Sequence, residues 1–180
     1  MSPIEESGLR ARLIAAAVAA LEGGANDLSL RALARDVGVS AMAPYRHFAD
    51  KAALMGAVAG YGFERLREAL VEADAAAEGS EAVVAQGLAY LRFAQAHPAL
   101  FRLMFSGACV PPEPVGETAY GVLARRVATL TNDPAATLAC WALVHGLAVL
   151  ALDGRAPPDG TGMGDPAAVL RLLAGPLAKT

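Results

Sequence analysis

The run Ala135–Leu152 (AATLACWALVHGLAVLAL) carries no formal charge over 18 residues, and no other stretch constrains the fold so strongly. A segment of this kind has two destinations, a lipid bilayer or the interior of a helical assembly. It lies at the short end of what spans a hydrocarbon core, and alanines, Thr137 and His145 dilute its hydrophobicity. Asp133 and Asp153 flank it, and no Lys/Arg cluster borders it to set an orientation in a membrane. The residues favour a helix that is apolar on all sides and buried in a bundle.

The rest of the chain is compatible with that destination. In 180 residues, 55% are hydrophobic and 18% charged, which excludes disorder and suits one compact domain or two small ones sharing a core. Cys109 and Cys140 are too few for a disulfide framework, and no paired Cys/His spacing suggests a metal site. The first residues, MSPIEESGLR, are acidic and lack an apolar h-region, so no signal peptide and a cytoplasmic location are expected. A net charge of −3 argues against general coating of nucleic acid but leaves room for a local basic patch.

Alanine and leucine dominate, β-branched residues are sparse, and no alternating run suggests a strand. The pattern predicts an all-α chain of about nine helices. The first ends at Gly23-Gly24, and Ser29 caps a second that runs to about Val37. A third runs from Ser40 to about Phe48, and a long fourth from Lys51 to about Ala77, capped by Asp50. The fifth spans Ser80 to about His97, Pro98 starts the sixth, and the seventh ends near Leu130. Two Asp-Pro-Ala-Ala tetrapeptides, at Asp133 and Asp165, start the eighth and ninth, with Pro176 expected to end or kink the latter. The segment 153–164 reads as a surface loop.

The segment LSLRALARDVGVSAMAPYRHFADKAAL (28–54) carries the most specific signal. Two short helices meet at Asp36-Val37-Gly38-Val39-Ser40, where Gly38 supplies a left-handed backbone turn. Leu30, Leu33, Ala34 and Val37 share one face of the first helix; Val39, Tyr45 and Phe48 offer the apolar side of the second. This is the pattern of a helix-turn-helix, whose second helix enters the DNA major groove. Residues 28–51 carry a net +2 charge, and the net −3 of the chain lies beyond residue 51.

With its glycine-ended first helix, its aromatic pair Tyr45 and Phe48, and Lys51 opening the fourth helix, the segment resembles the DNA-binding domain of the TetR family of transcriptional regulators. The resemblance covers about residues 6–66. Trp141, His145 and Gly146, with the string APYRHF, are similar to a TetR subfamily marked by Trp-His-Gly. The resemblance implies a helix-turn-helix domain over 1–50, fused through the fourth helix to a helical ligand-binding and dimerisation domain over 51–180.

It also implies a double-stranded DNA operator as partner, contacted by Ser29, Arg31, Ser40, Ala41, Met42, Ala43, Tyr45, Arg46, His47 and Lys51. Arg31 is expected to reach a base edge, and Ala41, Met42 and Ala43 to touch thymine methyls. Tyr45, Arg46, His47 and Lys51 are expected to hold phosphates, assisted by Ser40. Tyr45 could equally be core, His47 a surface histidine, and Arg35 reads as a solvated charge. Pro44 departs from the commonest family pattern; in a first helical turn it costs little.

For a small apolar ligand, the candidate lining is Phe63, Tyr90, Phe93, Phe101, Met104, Phe105, Tyr120, Trp141 and His145. The competing reading is that these aromatics pack the core and His145 donates to a backbone carbonyl. The family implies a homodimer through 133–153 and 165–178, and a repressor released from a palindromic operator by the ligand. No cofactor, metal or catalytic group is expected, because the chain has no phosphate loop or nucleophile elbow and its three histidines are dispersed. Cys140 and His145 point apart on one helix. The alternatives are a helical small-molecule-binding or membrane-associated protein without DNA-binding activity.

Overall fold

Alanine- and leucine-rich segments bounded by Ser, Asp, Thr and Gly become helices in the computed structural model, which describes residues 3–25, 28–155 and 164–177. The elements are α1 (Pro3–Glu22), α2 (Leu30–Asp36), a 3₁₀ turn (Ala43–Arg46), α3 (Lys51–Ala75) and α4 (Gly79–Ala96). They continue with α5 (Pro98–Phe105), α6 (Ala119–Val127), α7 (Ala136–Leu152) and α8 (Pro166–Leu177). All regular structure among the described residues is helical. Side chains satisfy the orphan amides at several helix starts. Ser29 Oγ accepts from Ala32 N–H at 3.1 Å, Asp50 Oδ1 from Ala53 N–H at 2.8 Å, and Thr118 Oγ1 from Gly121 N–H at 3.0 Å.

The expected nine α-helices are thus eight and a 3₁₀ turn among the described residues. The difference falls at the third, between Ser40 and Phe48. A helix capped by Ser40 needs its first α-type bond from the amide of residue 44 to the Ser40 carbonyl, and Pro44 has no N–H to give. The Ser40 carbonyl instead accepts from Ala43 N–H at 2.9 Å, and Met42 rather than Ser40 precedes the 3₁₀ turn. α8 runs through Pro176 to Leu177, because a proline in the last turn removes one bond without stopping the chain. Asp165 precedes α8 as anticipated, with Pro166 first in the helix and Asp165 Oδ1 accepting from Ala167 N–H at 2.9 Å. Asp133 and Pro134 instead form a turn ahead of α7, which starts at Ala136 behind Ala135; there Asp133 Oδ1 accepts from Ala135 N–H at 2.8 Å. Of the loop anticipated at 153–164, the residues 156–163 lie outside the described residues, as does residue 178 of the ninth helix.

The chain forms two compact units, one of Met1–Gly62 with His97–Pro114 and one of Phe63–Ala96 with Val115–Thr180. In the first, Leu9, Leu13, Leu33, Phe48, Leu54 and Phe101 are buried together with much of α5. Gly62 is required by close packing: a Cβ there would lie 2.6 Å from Met104 Sδ and 3.1 Å from Leu100. The N-terminus of α5 is held from α1, where the Glu22 carboxylate accepts from Leu100 N–H at 3.0 Å and Ala99 N–H at 3.3 Å. An anion at a helix start satisfies orphan donors and opposes the positive end of the helix dipole.

In the second unit α4 is central, packing against α6, α7 and α8. Leu170 of α8 sits against Gly87 of α4, where a Cβ would lie 2.8 Å from its methyl carbon. α7, the uncharged segment, buries a single stripe of Ala136, Cys140, Val144 and Ala148, one residue every turn. Leu138 remains 60% exposed, Leu150 44% and Leu172 of α8 78%. No helix among the described residues is long and apolar enough to cross a membrane.

Replacing Glu22 with Ala should lower stability by about 1 kcal/mol, the usual worth of a helix-start acceptor. Urea unfolding measures it, and an unchanged midpoint would show that the α1–α5 contact contributes nothing.

Candidate nucleic-acid interface and ligand cavity

A tight turn gives the first unit its DNA-binding shape. α2 closes on Gly38 at φ 73°, with Gly38 N–H donating to the Arg35 carbonyl at 3.1 Å and Val39 N–H to the Ala34 carbonyl at 2.9 Å. This pair of bonds is the Schellman stop, which needs a left-handed residue that glycine adopts without strain. Arg12 of α1 donates to the Val37 carbonyl at the same corner, so that guanidinium braces the turn. Arg10 lies over the Phe48 ring at 5.4 Å.

All ten residues anticipated at a DNA interface fall in this unit. The 3₁₀ turn buries Pro44, and Phe48 just beyond it is also buried, while Tyr45 and Arg46 are exposed. Of the apolar set expected for the second motif helix, Phe48 packs inward, whereas Tyr45 is 40% exposed. Arg31, Ser40, Ala41, Met42 and Lys51 are exposed as well, and Ala43 is half-buried. Ser29 spends its hydroxyl on capping α2. His47 is half-buried, and its Nε2 has no hydrogen-bond partner among the described residues. The unit therefore presents guanidinium, ammonium and phenolic donors at the corner of a helix-turn-helix, the chemistry that grips phosphates and guanine edges. Arg35 faces Asp36 at 3.8 Å, with side chains 81% and 54% exposed, a surface pair of little energetic weight.

The second unit holds a largely apolar cavity between its helices that is partly open to solvent. Its walls come from α3, α4, α6, α7 and α8, and include Leu70, Gln86, Tyr90, Leu123, Trp141 and Leu170. Tyr90 and Trp141 are the two residues of the anticipated ligand set in these walls. His145 stands behind Tyr90, sharing a 2.9 Å hydrogen bond between the Tyr90 hydroxyl and His145 Nδ1. Tyr120 meets Trp141 edge-on at 5.5 Å, and Phe93 is buried elsewhere in the unit. Phe63 is half-buried in the second unit's part of α3. Phe101, Met104 and Phe105 belong to the first unit, where the Phe101 and Phe105 rings meet at a tilt with centroids 4.9 Å apart. Burial pushes the Tyr90 phenol up and the His145 imidazole down, so both stay neutral near pH 7.

Behind Gln86 lies a buried carboxylate. Asp74 of α3, with a side chain 7% exposed, accepts from Arg126 Nε at 2.7 Å and Nη2 at 3.1 Å. It also accepts from Arg125 Nη1 at 3.3 Å and Gln86 Nε2 at 2.7 Å. Burial alone would raise the Asp74 carboxyl, but the hydrogen bonds from Arg126 and Gln86 outweigh it and hold the group below its ordinary range. Sequence reasoning passed over Gln86, although an amide inside the apolar run AVVAQGLAYL is a visible signal. Among the described residues no group of three His, Cys, Asp or Glu could hold a metal ion.

A helix-turn-helix with exposed cationic donors, followed by a helical unit around a cavity, defines a DNA-binding regulator. Residues 13–58 match the family model for bacterial regulatory proteins of the tetR family, and residues 83–175 match the tetracyclin repressor-like C-terminal domain. A solved structure of a protein of unknown function from Rhodococcus sp. RHA1 is 33% identical, with a TM-score of 0.75, over 95% of this chain and 94% of that one. A tetR-family regulatory protein from Rhodococcus RHA1 shares the fold at 20% identity and a TM-score of 0.59, over 94% and 95% of the two chains. A TetR family transcription regulator from Marinobacter aquaeolei VT8 does so at 17% identity and a TM-score of 0.60, over 99% and 97%. Comparison with curated proteins finds no match. The chain belongs to the TetR family of transcriptional regulators.

Asp74→Asn should destabilise the protein by about 3 kcal/mol, as expected when a buried ion pair loses one partner. The folded-state value is lowered, so the carboxylate's contribution is complete above about pH 4 and is lost as pH falls through the lowered value. Unfolding midpoints measured at neutral and acid pH should therefore converge between wild type and variant. Parallel acid profiles would contradict this role.

Proposed function

We propose that this regulator is a homodimeric repressor that binds a palindromic operator and is released by a small apolar ligand in the cavity of its second unit. The observation that carries the reading is the pairing, in one chain, of an exposed cationic helix-turn-helix corner with a largely apolar pocket between the helices of the second unit. Base-edge contact falls to Arg31, and thymine-methyl contact to Ala41, Met42 and Ala43. Tyr45, Arg46, His47 and Lys51 hold phosphates, assisted by Ser40, and Ser29 contributes to the same face from the start of α2. The domain division follows these roles: DNA contact over 1–50, ligand binding and dimerisation over 51–180.

Dimerisation through 133–153 and 165–178 is supported by the apolar side chains that α7 and α8 leave exposed, among them Leu138, Leu150 and Leu172. Two-fold pairing would set two recognition turns about one helical turn of DNA apart, or a multiple of it. α3 is continuous through residues of both units, which makes it the element along which ligand binding would change that spacing. The ligand acts only if it binds the DNA-incompetent conformation more tightly.

Selection of bound duplexes from random DNA by the purified protein should enrich a palindrome; enrichment of asymmetric sites, or of none, would contradict the proposal. On the selected operator, Lys51→Ala should weaken binding to all sequences alike and reduce the slope of log affinity against log salt by about one phosphate contact. An unchanged slope would remove Lys51 from the interface. Trp141→Ala should alter the response to ligand while operator affinity stays within about threefold, since the side chain lies in the cavity wall. Loss of folding, followed by circular dichroism, would assign Trp141 to the core instead.

A further inference from the structure

Gln86, in the cavity wall, has an acceptor to which no donor among the described residues bonds. Gln86 is 1% exposed, and its Oε1 is buried with no hydrogen-bond partner among the described residues. The orientation of the amide follows from chemistry. Asp74, ionised between Arg126 and Arg125, can only accept, so the amide group 2.7 Å from its Oδ1 must be the donating Nε2. Gln86 is part of the cavity wall and Asp74 is not, and the amide atom left without a partner is Oε1, covered by the wall's own atoms. A buried acceptor left unpaired carries a desolvation penalty, which a ligand donor would remove.

We propose that the cavity selects neutral, mainly apolar ligands bearing a hydroxyl or N–H, and that Gln86 Oε1 receives that hydrogen. The inference rests on the cavity being the ligand site and adds its chemical rule. An anion is disfavoured, because the lone pairs of Oε1 would repel it. A cation would lose its hydration against walls of Leu70, Leu123, Leu170 and Val144. The other polar groups of the wall are neutral or already engaged: the Tyr90 hydroxyl bonds His145, and burial pushes the Cys140 thiol up. Gln86 is fixed by Asp74, so the acceptor is positioned before a ligand arrives.

The test uses the full chain and the fluorescence of Trp141, its single tryptophan, which lies in the cavity wall. Phenol and toluene are titrated as near-isosteres with and without a donor, and anisole, larger by a methyl group than phenol, as an ether with an acceptor and no donor. A cavity offering no acceptor would prefer toluene to phenol by well over tenfold, because the phenol hydroxyl would give up its water hydrogen bonds. The expected result is that phenol binds at least as tightly as toluene and about tenfold more tightly than anisole. In Gln86→Leu the phenol-to-toluene ratio should move at least tenfold towards toluene. Should that variant fail to fold, the three wild-type affinities decide alone. Toluene winning in wild type would overturn the donor rule and leave the ligand site standing. No binding of any of the three would overturn the ligand site and the donor rule with it.

Discussion

A carboxylate in a protein interior must be paired, because its desolvation costs several kcal/mol that only close donors offset. Asp74 meets this condition with four donor contacts from three side chains, and in doing so ties α3 to α4 and α6. The rest of the second unit is mainly apolar packing, to which the Tyr90–His145 bond and the exposed Arg171–Glu81 pair between α8 and α4 add polar ties. A bidentate guanidinium grip is directional and fixes the register of α6 against α3. The same carboxylate orients the Gln86 amide, so one buried charge sets both the frame of the cavity and its most distinctive polar atom.

The first unit is built on different physics. Its corner depends on backbone geometry: a left-handed Gly38, two carbonyls satisfied by following amides, and Arg12 bonding the carbonyl of Val37. These interactions are local, or reach only to α1, and they leave the exposed face free of structural duty. Pro44 and Phe48 anchor the 3₁₀ turn from inside, so Tyr45 and Arg46 can face solvent. In the proposed interface, the short 3₁₀ element with apolar Ala41, Met42 and Ala43 before and at its start would lean on thymine methyls and groove shape more than on a ladder of side-chain hydrogen bonds.

What could be read from sequence follows this division. The helix-turn-helix was legible because its determinants sit within a few residues of one another, as with Ser29 capping α2 and Gly38 ending it. The third helix is the misread element: a proline in a first helical turn ordinarily costs little, but at Pro44 the missing amide is the one the first α-type bond to Ser40 needs. The cavity was only partly legible. Aromatic residues mark apolar surface but not which helices meet, and Phe101, Met104 and Phe105 follow Pro98 into the first unit. Leu70, Leu123 and Leu170 come to one wall from three separate helices, a contact no periodicity encodes. α7 illustrates the remainder: its composition announced burial, but not that the chain itself would cover only one stripe of it.

Under the proposed function, two copies of this chain read one DNA duplex through paired helix-turn-helix corners. Hydroxyl-radical footprinting on a selected duplex should show two protected patches on one face of the duplex, related by a two-fold axis, with half-site centres about one helical turn or a multiple of it apart. A single protected patch, or protection without two-fold symmetry, would contradict it.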